Sequence, residues 1–182
     1  SASAGGAAAG LGIGPRCIDR IIGVAKSYQT RVGSGPFPTE LLDEIGDHMV
    51  DRGAEFGTTT GRRRRCGWLD LATLRYSARV NGLTEIALTK LDVLSGLNRL
   101  RTCNAYQVGG ETWTDWPADG EALEGCAPVY EELPGWEEDL AVSAWEELPA
   151  ETRAYIAHIE QRVGVPVKLI SVGPDRDQTI YR

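Results

Sequence analysis

The chain has 182 residues, 42% of them hydrophobic, enough for one domain with a real core or two small ones. Its 26 acidic and 19 basic residues give a net charge of −7, which argues against nucleic acid as the main partner, because polyanion binding needs a basic footprint. No apolar run approaches the roughly 20 residues of a membrane span, and none reads as a signal peptide.

Ser1 to Pro15 is rich in Gly, Ala and Ser and lacks an initiator Met. It reads as a flexible linker, or as a tight loop whose glycines let backbone approach a ligand, at the opening of a piece of a longer protein. Cys17 to Tyr28 carries Ile18, Ile21, Ile22 and Ala25 at a helical period after the Pro15 start signal, which predicts a helix. Thr30 to Pro38 is a loop broken by two glycines and two prolines. Pro38 to Arg52 predicts a second helix, ended by Gly53, and Leu69 to Val80 a third, with Leu71, Leu74 and Ala78 on one face.

Glu85–Thr89 is a short β-type run, Lys90 to Leu97 a turn, and Arg101 to Val108 another strand. Gly109 to Gly125 is polar and turn-rich, a surface hairpin or excursion; Val129 to Leu133 is a strand that Pro134-Gly135-Trp136 ends. After an acidic stretch, Pro149 to Gly164 predicts a helix with Tyr155, Ile156, Ile159 and Val163 inward. Val167–Val172 predicts a buried strand, 173–177 a turn and Thr179–Tyr181 an edge strand. Helices alternating with short strands give an α/β class. Cys17, Cys66, Cys103 and Cys126 show no metal-ligand spacing and read as free thiols of a reducing compartment. His48 and His158 fall on predicted helices and read as surface residues.

Two motifs carry chemistry. The first is Thr58-Thr59-Thr60-Gly61 followed by Arg62, Arg63, Arg64 and Arg65. Four adjacent arginines repel one another, so an anion is expected to compensate, and the hydroxyls and glycine before them suit a mobile loop that captures carboxylate or phosphate. The second is Thr89-Lys90-Leu91-Asp92, just past the end of a strand, where α/β sheets bind ligands. A carboxylate there can accept the paired N1–H and amine donors of guanine, with the aliphatic stem of Lys90 across the base. Ser171-Val172-Gly173 marks a second strand end where backbone can approach a ligand closely.

Together these pieces resemble adenylosuccinate synthetase. The resemblance rests on Thr30–Glu40, Glu55–Arg65, Cys66–Asp70, Leu88–Leu94 and Ile170–Arg176, in order over essentially the whole chain. It implies an α/β fold with a central, mainly parallel sheet, flanking helices and a peripheral β excursion, the C-terminal part of a synthetase related to the phosphate-loop NTPases. The layout implied is residues 1–37 as Gly-rich loop and helix, 38–108 as aspartate loop and guanine-recognition region, 109–147 as surface excursion, and 148–182 as final helix and strands.

The family joins L-aspartate to IMP using GTP and Mg2+. By position, Thr58, Thr59, Thr60, Gly61, Arg62, Arg63 and Arg64 would form the aspartate loop; Arg62 and Val32 would contact IMP; Arg64, Lys90, Leu91, Asp92, Ser171, Val172 and Gly173 would bind GTP. No Gly-x-x-x-x-Gly-Lys-[Ser/Thr] occurs here, so the catalytic groups and Mg2+ ligands are expected in the family's N-terminal half, and this polypeptide alone is expected not to turn over. The resemblance also implies a homodimer in the cytoplasm, or in the plastid stroma, with no nucleic acid or membrane partner. Two other readings compete: a noncatalytic phosphate- or RNA-binding module gripping with Arg62–Arg65, and a signalling GTPase using Thr-Lys-x-Asp.

Overall fold

The structure, a computed structural model, describes residues 3–116 and 123–182. Its centre is a four-stranded sheet in the order β1 (Ile22–Lys26), β5 (Glu85–Thr89), β9 (Val167–Ser171), β10 (Thr179–Tyr181). The first three strands are parallel and β10 closes the edge antiparallel to β9. A two-stranded ladder joins β2 (Gln29–Arg31) to β3 (Arg65–Gly67). A third sheet is built on β6 (Leu97–Val108), flanked by β4 (Leu69–Asp70), β7 (Glu111–Trp113) and β8 (Ala127–Trp136). Helices α1 (Ala4–Leu11), α2 (Glu44–Gly53), α3 (Leu71–Asn81) and α4 (Ala150–Val163) flank these sheets in sequence, with short 3-10 turns such as Leu91–Leu94 between elements. The architecture is the mainly parallel α/β sheet with a peripheral β excursion that the resemblance implies. None of the described helices is long and apolar enough to cross a membrane.

Side chains alternate along the parallel strands. Ile86 and Leu88 of β5 and Ile170 of β9 are fully buried and join Tyr155, Ile156 and Ile159 of α4 in one core. On the opposite face of β1, Val24 stays 76% exposed. Helix α4 follows its signals: Pro149 precedes it, Gly164 ends it in the left-handed conformation, and the buried stripe is on Tyr155, Ile156 and Ile159.

Several expectations are corrected. Residues 4–11 are helical rather than a linker: four alanines favour helix, Ser3 accepts from the Gly6 N–H at 3.1 Å, and Gly12 caps in the left-handed region. The Cys17–Tyr28 run holds strand β1 (Ile22–Lys26) behind a short 3-10 turn at Pro15–Cys17, not a helix, so the helix within residues 1–37 is α1. Gly23 explains why: a Cβ there would lie 2.3 Å from Leu83 Cδ1, so the backbone of β1 packs directly on that side chain.

Helix α2 starts at Glu44, not Pro38. The Leu41 N–H donates to Cys66 O and the Trp68 N–H to Thr39 O, which draws residues 39–41 alongside β3, and Asp43 is the true N-cap. Pro134 and Gly135 lie within β8 rather than ending it. As an edge strand β8 tolerates proline, and a Cβ on Gly135 would lie 1.7 Å from Leu97 O, so glycine lets the two strands close. His158 is buried, not superficial, with Nε2 2.9 Å from Thr102 Oγ1, and burial holds its imidazole below the usual pKa. Part of the surface excursion, residues 117–122, lies outside the described residues.

Candidate functional site

The carboxyl ends of the three parallel strands converge: β1 finishes at Lys26, β5 at Thr89 and β9 at Ser171. This is the edge at which open α/β sheets take ligands. A cavity of about 380 Å³ opens there, lined among others by Gly53, Lys90, Asp92, Ser171, Gly173 and Pro174. The second sequence motif and the Ser171–Gly173 strand end therefore share one crevice.

Lys90 has φ +61°, a left-handed conformation that a lysine adopts only when its surroundings impose it, at a cost on the order of 1–3 kcal/mol. Two bonds to its carbonyl impose it here, from Ser27 Oγ at 2.8 Å and from the Val93 N–H at 3.2 Å. The Lys90 ammonium donates to Gly53 O at 2.6 Å. Leu91 is buried, whereas Asp92 is half-exposed in the cavity, and burial pushes its carboxyl above the usual carboxylate range. Val172 is buried and its N–H donates to Gln178 O; Ser171 Oγ donates to Gly173 O at 2.8 Å. A Cβ on Gly173 would lie 2.2 Å from Gln178 Oε1, so glycine lets the Gln178 amide close over this strand end.

The arginine loop lies between α2 and β3. Its root is a Phe56–Arg63 bridge with the Arg64 N–H donating to Glu55 O, and its neck is a Gly57 N–H to Arg62 O bond at 2.8 Å. Thr58, Thr59, Thr60 and Gly61 form the exposed tip; Gly61 turns it at φ +62°. The expected anionic compensation comes, for three of the four arginines, from carboxylates of the chain itself. Arg63 pairs with Asp47, Arg64 with Glu55 at 2.7 Å, and Arg65 forks onto both oxygens of Glu40 at 2.7 and 2.6 Å. Arg65 also donates to the carbonyls of Gly33 and Gly35 and lies over the Phe37 ring, so it serves the loop's root. Arg62 alone is exposed with no carboxylate partner among the described residues. Val32, 69% exposed, follows β2 immediately, and β2 pairs with the arginine strand through Arg31 and Arg65.

The residues that sequence reasoning missed are Glu55 and Lys26. Glu55 has no exposed side-chain surface, and its carboxylate accepts from Lys26 Nζ at 2.7 Å, Tyr28 OH at 2.5 Å and Arg64 at 2.7 Å. Burial opposes its ionisation, but those three bonds outweigh burial and hold the carboxyl below the usual range. Burial and the bond to Glu55 drive the Tyr28 phenol far above its ordinary value. Glu40 is likewise lowered, by its bonds to Arg65. Both carboxylates therefore stabilise the fold fully above the unfolded carboxyl value of about 4.3, and that contribution is lost as pH falls through their lower folded values. Thermal unfolding followed from about pH 6 to about pH 3 should show a steep loss, shallower in Glu55→Gln. An identical slope in the variant would contradict the assignment.

The sequence profile of adenylosuccinate synthetase matches residues 1–180. The synthetase of Moorella thermoacetica is 60% identical over 178 residues, 97% of this chain and 42% of that protein, and that of Desulforudis audaxviator is 59% identical over 179 residues, 98% and 42%. A fully ligated adenylosuccinate synthetase from Plasmodium falciparum superposes with a TM-score of 0.94 at 42% identity, over 99% of this chain and 44% of that one. A cyanophage succinoaminodeoxyadenylate synthetase, 16% identical with a TM-score of 0.53, shares the fold alone. The chain thus spans about 42% of the length of the curated relatives it matches. Over that span, from the arginine loop to the strand ends around Lys90 and Ser171, it belongs to the adenylosuccinate synthetase family.

Proposed function

We propose that this chain supplies the aspartate-binding loop and the guanine pocket of a GTP-dependent ligase that joins L-aspartate to IMP, giving adenylosuccinate, GDP and phosphate. The observation that carries the reading is the meeting of the arginine loop's root and the Lys90–Asp92 turn at the carboxyl ends of three parallel strands. Arg62, exposed and without an internal counter-ion, holds an aspartate carboxylate and lies near IMP; Arg64 reaches the GTP phosphates; Val32 touches the IMP ribose. Asp92 accepts the guanine donors, with Lys90 across the base and Leu91, Ser171, Val172 and Gly173 lining the slot. Thr58, Thr59, Thr60, Gly61 and Arg63 complete the mobile loop.

Holding three substrates in one geometry converts a multi-body encounter into an oriented one, and fixed guanidinium groups stabilise charge that develops at the transferring phosphoryl. Mg2+, which the family relationship implies, would neutralise phosphate charge; among the described residues no group of three or more His, Cys, Asp or Glu gathers to hold it. A homodimer belongs to the same reading. The rival use of Arg62–Arg65 as an RNA grip has less support, because the chain as a whole carries a net charge of −7 and lacks the basic footprint a polyanion needs.

The test is a chimera in which this chain replaces the matching 178 residues of the Moorella synthetase. Formation of adenylosuccinate from IMP, L-aspartate and GTP is the expected result; a folded chimera without turnover overturns the reading. In that chimera Arg62→Leu should raise the KM for aspartate roughly ten-fold or more and lower kcat, the loss of a charged hydrogen bond that serves both binding and positioning. A change confined to the KM for GTP would show that the roles of Arg62 and Arg64 are reversed.

A further inference from the structure

Glu55 faces three cations from three separate segments. Lys26 Nζ lies 2.7 Å and Lys90 Nζ 3.9 Å from Oε1, and Arg64 lies 2.7 Å from Oε2. Lys26 ends β1, Lys90 follows β5, and Arg64 belongs to the root of the arginine loop. The carboxylate is fully enclosed, whereas the three cationic side chains keep 28–38% of their surface exposed. Each cation is thus anchored on its inner side and open on its outer side. One carboxylate cannot neutralise three cations, so the cluster keeps an excess of positive charge turned outward.

Burying a charge at this depth is costly unless each oxygen is satisfied, and here both are. Gly53 keeps the arrangement tight: a Cβ there would lie 2.3 Å from Tyr28 OH and 3.0 Å from Glu55 Cγ, and its carbonyl takes the Lys90 ammonium.

We infer that Glu55 is a positioning residue that sets Arg64 and Lys90 in one frame, so that the phosphates and the base of a guanine nucleotide are recognised as a unit. The inference deepens the proposed function and rests on its reading of Arg64 and Lys90 as nucleotide contacts. Glu55 itself touches no substrate; it acts through Arg64 on the phosphate side and through Lys90 and the Gly53 carbonyl on the base side. A purely structural role makes a different forecast, since a loosened core would raise the KM values for all three substrates together.

The experiment is a double-mutant cycle in the chimera. Glu55→Gln keeps the shape and removes the charge, and should raise the KM for GTP about ten-fold or more while that for IMP stays within about two-fold. In an Arg64→Ala background the same change should raise the KM for GTP clearly less than it does alone, because the Arg64 route is already lost and only the Lys90 route remains to be disturbed. Should Glu55→Gln fail to fold, Glu55→Asp carries the test: it keeps the buried charge but is too short to reach Lys26 and Arg64 together, and should raise the KM for GTP at least about three-fold. A KM for GTP unchanged in the variant that folds, an equal rise for all three substrates, or multiplicative effects in the double variant would overturn the inference. An unmodified chimera with no GTP-dependent turnover would instead overturn the functional reading, and this inference with it.

Discussion

Asp92→Asn in the chimera is expected to weaken GTP by about 1.5–3 kcal/mol, roughly ten- to a hundred-fold in KM, and to turn preference toward a xanthine nucleotide. Donors and acceptors decide the preference. An ionised carboxylate offers two acceptors to the parallel N1–H and amine of guanine, whereas asparagine offers one acceptor and one donor and so faces the guanine amine with a donor of its own. Xanthine carries a carbonyl where guanine carries that amine, so it matches the amide. Asp92 lies in the cavity beside Ser171 and Gly173, where a bound base would meet the mismatched donor directly.

The same site gives a pH dependence with a definite sign. Burial raises the Asp92 carboxyl, and only its charged form accepts both bonds, so guanine affinity should fall as pH drops through that raised value, earlier than for an ordinary carboxylate. The Asn variant should lose this dependence. GTP kinetics unchanged by the substitution, with no gain for the xanthine nucleotide, would remove Asp92 from the base-reading role.

How much of this was legible in the sequence depended on the range of the interaction. Helix α4 was readable because its signals are local: Pro149 before, Gly164 after, and Tyr155, Ile156 and Ile159 at helical spacing between. Strands β5, β9 and β10 were readable as short β-type runs between turns. β1 was not, because its half-exposed run of Ile, Val and Ala lacks a clear alternation and reads equally as a helix face. The choice was made by Gly23 packing on Leu83, sixty positions away. α1 was hidden by its glycines, which suggest a linker, although its alanines and its Ser3 cap favour helix.

At the site, the two motifs announced Arg62–Arg65 and Lys90–Asp92, but not that they share a centre. Glu55 is one acidic residue between Gly53 and Gly57 with no pattern around it, and only folding brings Lys26 and Lys90 to it from opposite directions in the chain. The source of the anions that compensate the arginines was hidden for the same reason. Asp47, Glu55 and Glu40, the carboxylates that pair with them, lie 9 to 25 residues away, beyond what local spacing reveals.

Leu88→Ala should cost about 2–5 kcal/mol of stability, a large share of the roughly 5–15 kcal/mol that holds a domain together. Leu88 is fully buried on the central strand, flanked by Ala25 of β1 and Ile170 of β9. Removing its side chain leaves a void that neither neighbour can fill, since Ala25 is small and Ile170 is itself locked in the core. Its neighbour along the strand, Ala87, pairs with Val24 on the opposite face, so Val24→Ala is the matched control: at 76% exposure it should change stability by no more than about 0.5 kcal/mol. Urea unfolding separates the two, with a lower midpoint and an unchanged slope for Leu88→Ala alone. Equal midpoints would mean that the face of β5 toward α4 is not the core that holds the sheet. Leu88 also lies one residue before Thr89 and two before the strained Lys90. A strand that loosens there relaxes the left-handed turn first, so guanine recognition should be lost at a lower urea concentration than the fold itself.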